Sequence, residues 1–220
     1  MLGPPGSEKE LLMRSRAIAG MTVAELARDI GWSVPQQLHK SKGFVGRLLE
    51  ATLGAQAGNR AEPDFPVLGI ELKSVPLGRM HHPLESTFVC HASLTSIGNE
   101  AWETSTVYRK LARVLWIPVQ GVRSVPLPER IIGTGVLWTP STLQMSLLRS
   151  DWEELAGRVG RGEAEFISAR VGVTLQLRPK GANARARSWA LDEDGTCFRH
   201  APRAFYLRAA FTRQILDGSC

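Results

Sequence analysis

The chain has 220 residues, 43% of them hydrophobic and 22% charged, which is enough for one globular domain with two lobes and excludes disorder and collagen-like repetition. No run of about 18 uninterrupted apolar residues occurs and Met1–Glu10 lacks the apolar stretch of a secretory signal, so a cytoplasmic protein is expected. The 27 Lys and Arg against 21 Asp and Glu give +6, which admits a polyanionic partner without requiring one.

Charge is unevenly spread. Residues 1–165 carry 18 basic and 17 acidic side chains, whereas residues 166–220 carry 9 and 4. Within the last quarter Arg178, Lys180, Arg185 and Arg187 crowd into RPKGANARAR, where Pro179 and Gly181 argue for a loop. Such a loop reads either as a phosphate grip or as a solvated basic segment. Cys90, Cys197 and Cys220 form no CxxC pair and are odd in number, so free thiols are expected rather than a zinc site or a disulfide framework.

In chain order, residues 1–10 make a flexible lead-in whose end, Ser7 and Glu10, is a capping box for a helix reaching Ala19. Thr22 and Glu25 repeat the device for a short helix closed by Gly31. A third helix over about 43–53 sets Phe44, Leu48 and Ala51 on one stripe, with Glu50 beside it. Turn chemistry from Asn59 to Pro66 precedes a strand over Val67–Val75 in which Ile70 and Leu72 face one way and Glu71 and Lys73 the other. Strands are expected at Phe88–Leu94, Arg113–Val119 and Gly135–Trp138, the run VLWIPV being a buried central one. Ser141–Arg158 reads as helical, split near Ser150–Asp151 by a fresh N-cap. A strand over Val171–Leu177 leads into the basic loop, and Ala204–Leu216 reads as the last helix. The expected fold class is mixed α/β (α+β), a mixed central sheet flanked by helices.

The chemistry is concentrated in Asp64 and the strand GIELK. Alternation puts Glu71 and Lys73 on one strand face about 7 Å apart along the chain. Asp64 closes on them if the chain bends. Two hard oxygen donors suit Mg²⁺, and a neighbouring lysine can hold or help deprotonate a water aimed at phosphorus. On spacing alone the same residues also read as an exposed Glu–Lys strand face. The five histidines have neither ligand spacing nor a nucleophile partner, and no GxSxG, P-loop or dinucleotide fingerprint occurs in context.

At these residues the chain resembles the MutH family of methyl-directed DNA mismatch-repair endonucleases, part of the PD-(D/E)xK restriction-endonuclease-like superfamily. The resemblance runs from about Leu11 to about Leu216 through KGFVGRLLE (42–50), DFPVLGIELKS (64–74), PLESTFVC (83–90), WETSTVYRKL (102–111), RVLWIPV (113–119), DWEEL (151–155), RPKGANA (178–184) and FYLRAAFT (205–212). It implies two lobes around a DNA cleft, with a catalytic core at about 42–120 and a DNA-reading loop and last helix at about 171–216. It also implies that Asp64, Glu71 and the Leu72 carbonyl hold Mg²⁺, that Lys73 is the catalytic lysine, that Glu50 completes the acidic cluster and that Lys110 is a further cleft lysine.

Lys42, Phe88, Arg178, Pro179, Lys180 and Arg185 become DNA-binding candidates by the same resemblance, and Tyr206 a sensor of adenine methylation. Without it, Phe88 reads equally as a strand core residue, Tyr206 as a buried tyrosine at a helix start, and Lys110 as a solvated helix-end lysine. The implied activity is nicking of the unmethylated strand at hemimethylated GATC in double-stranded DNA by a monomer that MutL activates, with MutS acting indirectly. The alternatives are a stand-alone GATC restriction endonuclease, which would cut both strands, and a catalytically silent DNA-binding module.

Overall fold

The structure is a computed structural model that describes residues 3–36, 43–58, 60–181, 183 and 185–218. The chain forms two compact units, residues 1–85 with 112–139 and residues 86–111 with 140–220. Among the described residues no helix is long and apolar enough to cross a membrane.

The first unit opens with α1 (Glu8–Ala17) and α2 (Val23–Asp29). Thr22 and Glu25 form the full reciprocal box expected for α2, whereas at α1 only half of it forms. Ser7 accepts from the Glu10 amide, but the Glu10 carboxylate takes the Gly6 amide instead. α3 (Phe44–Leu53) ends at Gly54, which has φ 83°, the left-handed conformation that closes a helix without a Cβ penalty. It buries Phe44, Leu48, Leu49 and Leu53.

These helices cover a mixed sheet of β1 (Glu71–Leu77), β3 (Val114–Gln120) and β4 (Val136–Trp138). β3 is central, parallel to β1 and antiparallel to β4. The expected buried middle strand is therefore VLWIPVQ, with Val114, Leu115, Trp116 and Ile117 fully enclosed. Leu11, Leu26, Leu48, Leu49, Ile70, Leu115 and Ile117 share one apolar core; of the stripe expected on α3, Phe44 and Leu48 are buried and Ala51 is half-buried, and Leu49 and Leu53 complete the buried face. β1 starts later than expected. Val67–Gly69 lie in a turn because Phe65 and Ile70 pair as an isolated antiparallel bridge closed through Gly69 at φ 64°.

The second unit contains β2 (Thr87–His91), α4 (Thr106–Leu111), α5 (Thr142–Gly160), β5 (Leu175–Pro179), β6 (Ser188–Leu191), β7 (Cys197–His200), β8 (Arg203–Leu207) and α6 (Ala209–Asp217). Its antiparallel sheet has the order β2-β8-β5, and β6 and β7 form a separate hairpin.

Three expectations are corrected here. α5 is one continuous helix, because Asp151 does not cap a new one. Its buried carboxylate instead accepts from the Val173, Thr174 and Leu175 amides and the Thr174 hydroxyl at 2.5–3.0 Å. The segment read as the last helix begins with strand β8, and helix α6 starts only at Ala209. The basic stretch is not wholly a loop, since Arg178 and Pro179 finish β5. Cys90 and Cys197 are free thiols, and Cys220 lies outside the described residues.

Candidate functional site

In the first unit the bend that Asp64 requires is the Phe65–Ile70 turn. The Phe65 amide donates to the Ile70 carbonyl at 2.9 Å and the Ile70 amide returns the bond at 3.3 Å, which turns the chain back upon itself. Asp64 thus lies beside β1, and its Oδ2 accepts from the Leu72 amide at 2.8 Å. The Asp64 carbonyl in turn accepts from the Gln56 amide at 2.8 Å, which ties the turn to the segment leaving α3.

Glu71 opens β1 and pairs with Val114 of the central strand, its amide donating to the Arg113 carbonyl at 3.0 Å. Its side chain is only 2% exposed and Asp64 only 6%. Carboxylates are seldom buried this deeply without partners. Lys73, two residues along the same strand face, supplies one as an ion pair with Glu71.

Glu50 lies on α3, which packs against β1. A Cβ built on Gly46 would sit 4.0 Å from Glu50 Oε1 and 3.9 Å from Ser74 Oγ, so the Glu50 carboxylate and a β1 hydroxyl border the same glycine. Asp64 is thus bonded to the Leu72 amide and Glu71 to Lys73 at neighbouring positions of β1, with Glu50 on the helix that packs against that strand. Among the described residues no set of three or more His, Cys, Asp and Glu side chains is arranged to hold a metal ion by itself.

In the second unit the sheet β2-β8-β5 gathers residues far apart in sequence. Phe88 on β2 and Gln176 on β5 both register with Tyr206 on the central β8. The Phe88 and Tyr206 rings meet edge-on at 5.7 Å. The Lys180 ammonium stands 4.9 Å from the Phe88 ring centre and 5.9 Å from that of Tyr206, and the Arg178 guanidinium 5.4 Å from Tyr206. Two cations are thus held over two aromatic rings, an attraction that orients them. Pro179 pairs with Arg203, and the Lys180 amide donates to the Pro202 carbonyl at 2.7 Å, which fixes where the strand hands over to the loop.

Arg185 is not part of this cluster. It sits exposed in a turn of its own, its amide bonded to Asn183 Oδ1 at 2.9 Å. Lys110 is in this unit too, 9% exposed at the end of α4 rather than solvated. Lys42 lies outside the described residues.

His91, to which the sequence assigned no role, joins the aromatic group at 5.3 Å from Phe88. Burial of its inner edge, and then the Lys180 ammonium, push its imidazole below the ordinary histidine value. The signal in the sequence was its spacing of three from Phe88 across a β-bulge between Phe88 and Cys90, which no regular alternation reveals.

A family model described as "DNA mismatch repair enzyme MutH" matches residues 53–151. The chain is 51% identical over 212 residues to the DNA mismatch repair protein MutH of Vibrio parahaemolyticus, covering 96% of this chain and 94% of that one. The chain belongs to the MutH family. Similar proteins of the same name are those of Shewanella amazonensis, 48% identical over 97% of this chain and 95% of the relative, and Yersinia enterocolitica, 48% identical over 97% and 93%. As a MutH-family member the protein is a DNA endonuclease of mismatch repair, a hydrolase of phosphodiesters. The match spans both compact units, so the carboxylate group of one and the aromatic–cation sheet of the other are compared with the whole length of the MutH relatives.

Proposed function

We propose that this MutH-family protein is a Mg²⁺-dependent endonuclease that nicks the unmethylated strand of hemimethylated GATC on the 5′ side of the guanine. The observation that carries it is the bond of Asp64 to the Leu72 amide beside the Glu71–Lys73 ion pair. Asp64 and Glu71, with the Leu72 carbonyl, would hold the metal. The donors are all hard oxygens, and two carboxylates rather than a complete protein cage are what Mg²⁺ uses when waters and a substrate phosphate fill its remaining positions. When bound, the ion supplies charge neutralisation at the scissile phosphate.

The protein's own residues do the rest. The Leu72 amide fixes the rotamer of Asp64. Glu71 holds the Lys73 ammonium at the site, and Lys73 orients a water for in-line attack on phosphorus. The new P–O bond forms as the P–O3′ bond breaks, leaving 3′-hydroxyl and 5′-phosphate ends. Lys110 would face the scissile phosphate from its helix end, and Glu50 would complete the acidic cluster.

On the second unit's sheet Arg178 and Lys180 donate to base edges of the recognition sequence, guanine offering O6 and N7. Pro179 shapes that approach, Phe88 backs it, and Tyr206 senses an added methyl at the adenine N6 edge. Lys42 and Arg185 contact the backbone. The protein acts as a monomer in the cytoplasm, activated by MutL with ATP and, through it, by MutS.

The test is nicking of three otherwise identical duplexes, unmethylated, hemimethylated and fully methylated at one GATC, in Mg²⁺ with and without MutL and ATP, beside Lys73→Ala. Nicks confined to unmethylated strands, stimulated by MutL and reduced about 10²–10⁴-fold or more in the variant, are expected. Methyl-blind double-strand cutting would move the protein to the restriction class, and binding without cleavage would sink the catalytic reading.

A further inference from the structure

The β6–β7 hairpin follows directly on the basic loop and carries features that the assignments above leave unused. Its rungs run Leu191 with Cys197, Ala190 with Phe198, Trp189 with Arg199, and Ser188 with His200. Alternation gives it two faces. Ala190 is fully buried on one, while on the other Trp189 is 53% exposed and Arg199 is exposed beside it. The Arg199 guanidinium lies 4.3 Å from the Trp189 ring centre. No carboxylate among the described residues pairs with it.

The two ends of the hairpin differ in charge. The turn end carries Asp192, Glu193 and Asp194 and is fixed in place. Asp192 Oδ1 accepts from the Asp194 amide at 3.1 Å and the Thr196 amide at 2.7 Å. The turn backbone also sits so close to Gly162 that a Cβ there would lie 2.3–2.8 Å from Asp192 and Glu193. The acids are thereby seated against the end of α5. The other end, reached from Arg185 and Arg187, carries the Trp189–Arg199 rung.

We propose that Trp189 and Arg199 form a further DNA contact, a guanidinium stacked on an indole that grips a backbone phosphate flanking the bases approached by Arg178 and Lys180. The inference rests on the nuclease reading above. A guanidinium lying on an aromatic face keeps its edge N–H groups for a phosphate in bidentate geometry, and stacking orients it before binding. Charge complementarity selects a polyanion as the occupant: Arg178, Lys180, Arg185 and Arg199 follow one another along the chain without acid partners among the described residues, and the only acids of the hairpin are held at its far end. Continuity with the basic loop selects the DNA that loop engages.

The experiment measures binding of the full chain to a duplex extending a full helical turn beyond each side of one GATC, across a salt series, for the unaltered protein, Arg199→Ala, Trp189→Ala and Lys180→Ala. The Trp189 and Arg199 side chains are exposed, and thermal melting checks that all three variants fold. Arg199→Ala is expected to weaken binding about three- to tenfold, equally on cognate and scrambled duplexes, and to lower the slope of log K against log salt by about 0.9. Trp189→Ala should weaken binding less, with the slope nearly kept. If Lys180→Ala loses affinity while Arg199→Ala and Trp189→Ala match the unaltered protein, the hairpin contact is overturned and the nuclease reading stands. If these two variants lose only stimulation by MutL, the rung is a protein interface and the proposal fails. If the unaltered chain does not bind the duplex, both fall together.

Discussion

Lys73 is the residue on which structure and the proposed chemistry converge, because the ammonium that neutralises buried Glu71 is also the group proposed to aim a water. Lys73→Ala removes a positive partner from a carboxylate that is 2% exposed, an uncompensated burial that costs stability. A divalent cation can replace that charge. Mg²⁺ is therefore expected to raise the melting temperature of Lys73→Ala more than that of the unaltered chain, while nicking stays lost. An equal shift in both would mean that Lys73 and the metal do not share Glu71.

His91 offers a second test at the same scale. Its imidazole is pushed down by burial and by Lys180, so the unfolded chain, titrating near 6.5, takes up the proton first as pH falls. Its contribution to stability is whole above about pH 6.5 and is lost as pH falls from there through the lowered folded value. Titration of the His91 ring by NMR should show the depressed midpoint in the unaltered chain and a partial return toward 6.5 in Lys180→Met.

Among the elements, α5 and the strand it anchors show where local reading stops. A Ser-Asp pair in mid-helix looks like an N-cap because side-chain oxygens of that type bind free amides at helix starts. Asp151 does bind free amides, but they belong to Val173, Thr174 and Leu175, more than twenty residues away. The chain presents them by passing through Gly172 at φ 84°, where a Cβ would lie 2.1 Å from the Leu175 carbonyl oxygen. Asp151→Ala should cost about 3 kcal/mol or more in urea unfolding, since it leaves several buried donors unpaired, and Asp151→Asn should cost less because one acceptor remains.

The same distinction separates what the sequence made legible from what it did not. Asp64, Glu71 and Lys73 lie within ten residues, and a turn and a strand suffice to join them, so periodicity and a proline could bring them together, while their role came only from the resemblance to the MutH family. The helices of the first unit were readable because their stripes and caps are local. β8 was read as helix because FYLRAAF has no alternation and its strand character comes from pairing on both sides with β2 and β5. The hairpin β6–β7 was missed because SWAL and CFRH are too short and too polar to stand out from a loop.

For the whole molecule, total charge says less than which charges are already paired. Arg149, Arg158, Arg161 and Arg213 in the second unit have carboxylate partners at 2.7–3.2 Å. Arg178, Lys180 and Arg185 have none among the described residues, and they sit in the quarter of the chain that holds 9 basic against 4 acidic residues. A polyanion that recruits a paired arginine must first break an ion pair, so its electrostatic attraction falls on the unpaired set. Each phosphate neutralised adds about 0.9 to the salt slope of binding, so Arg185→Ala is expected to lower the slope by about that amount. Arg149→Ala, which removes the same formal charge from the partners Glu103 and Glu153, should leave both slope and affinity within about twofold of the unaltered chain by the same accounting. Equal losses in the two variants would mean that net charge, and not the unpaired set of Arg178, Lys180 and Arg185, draws the protein to DNA.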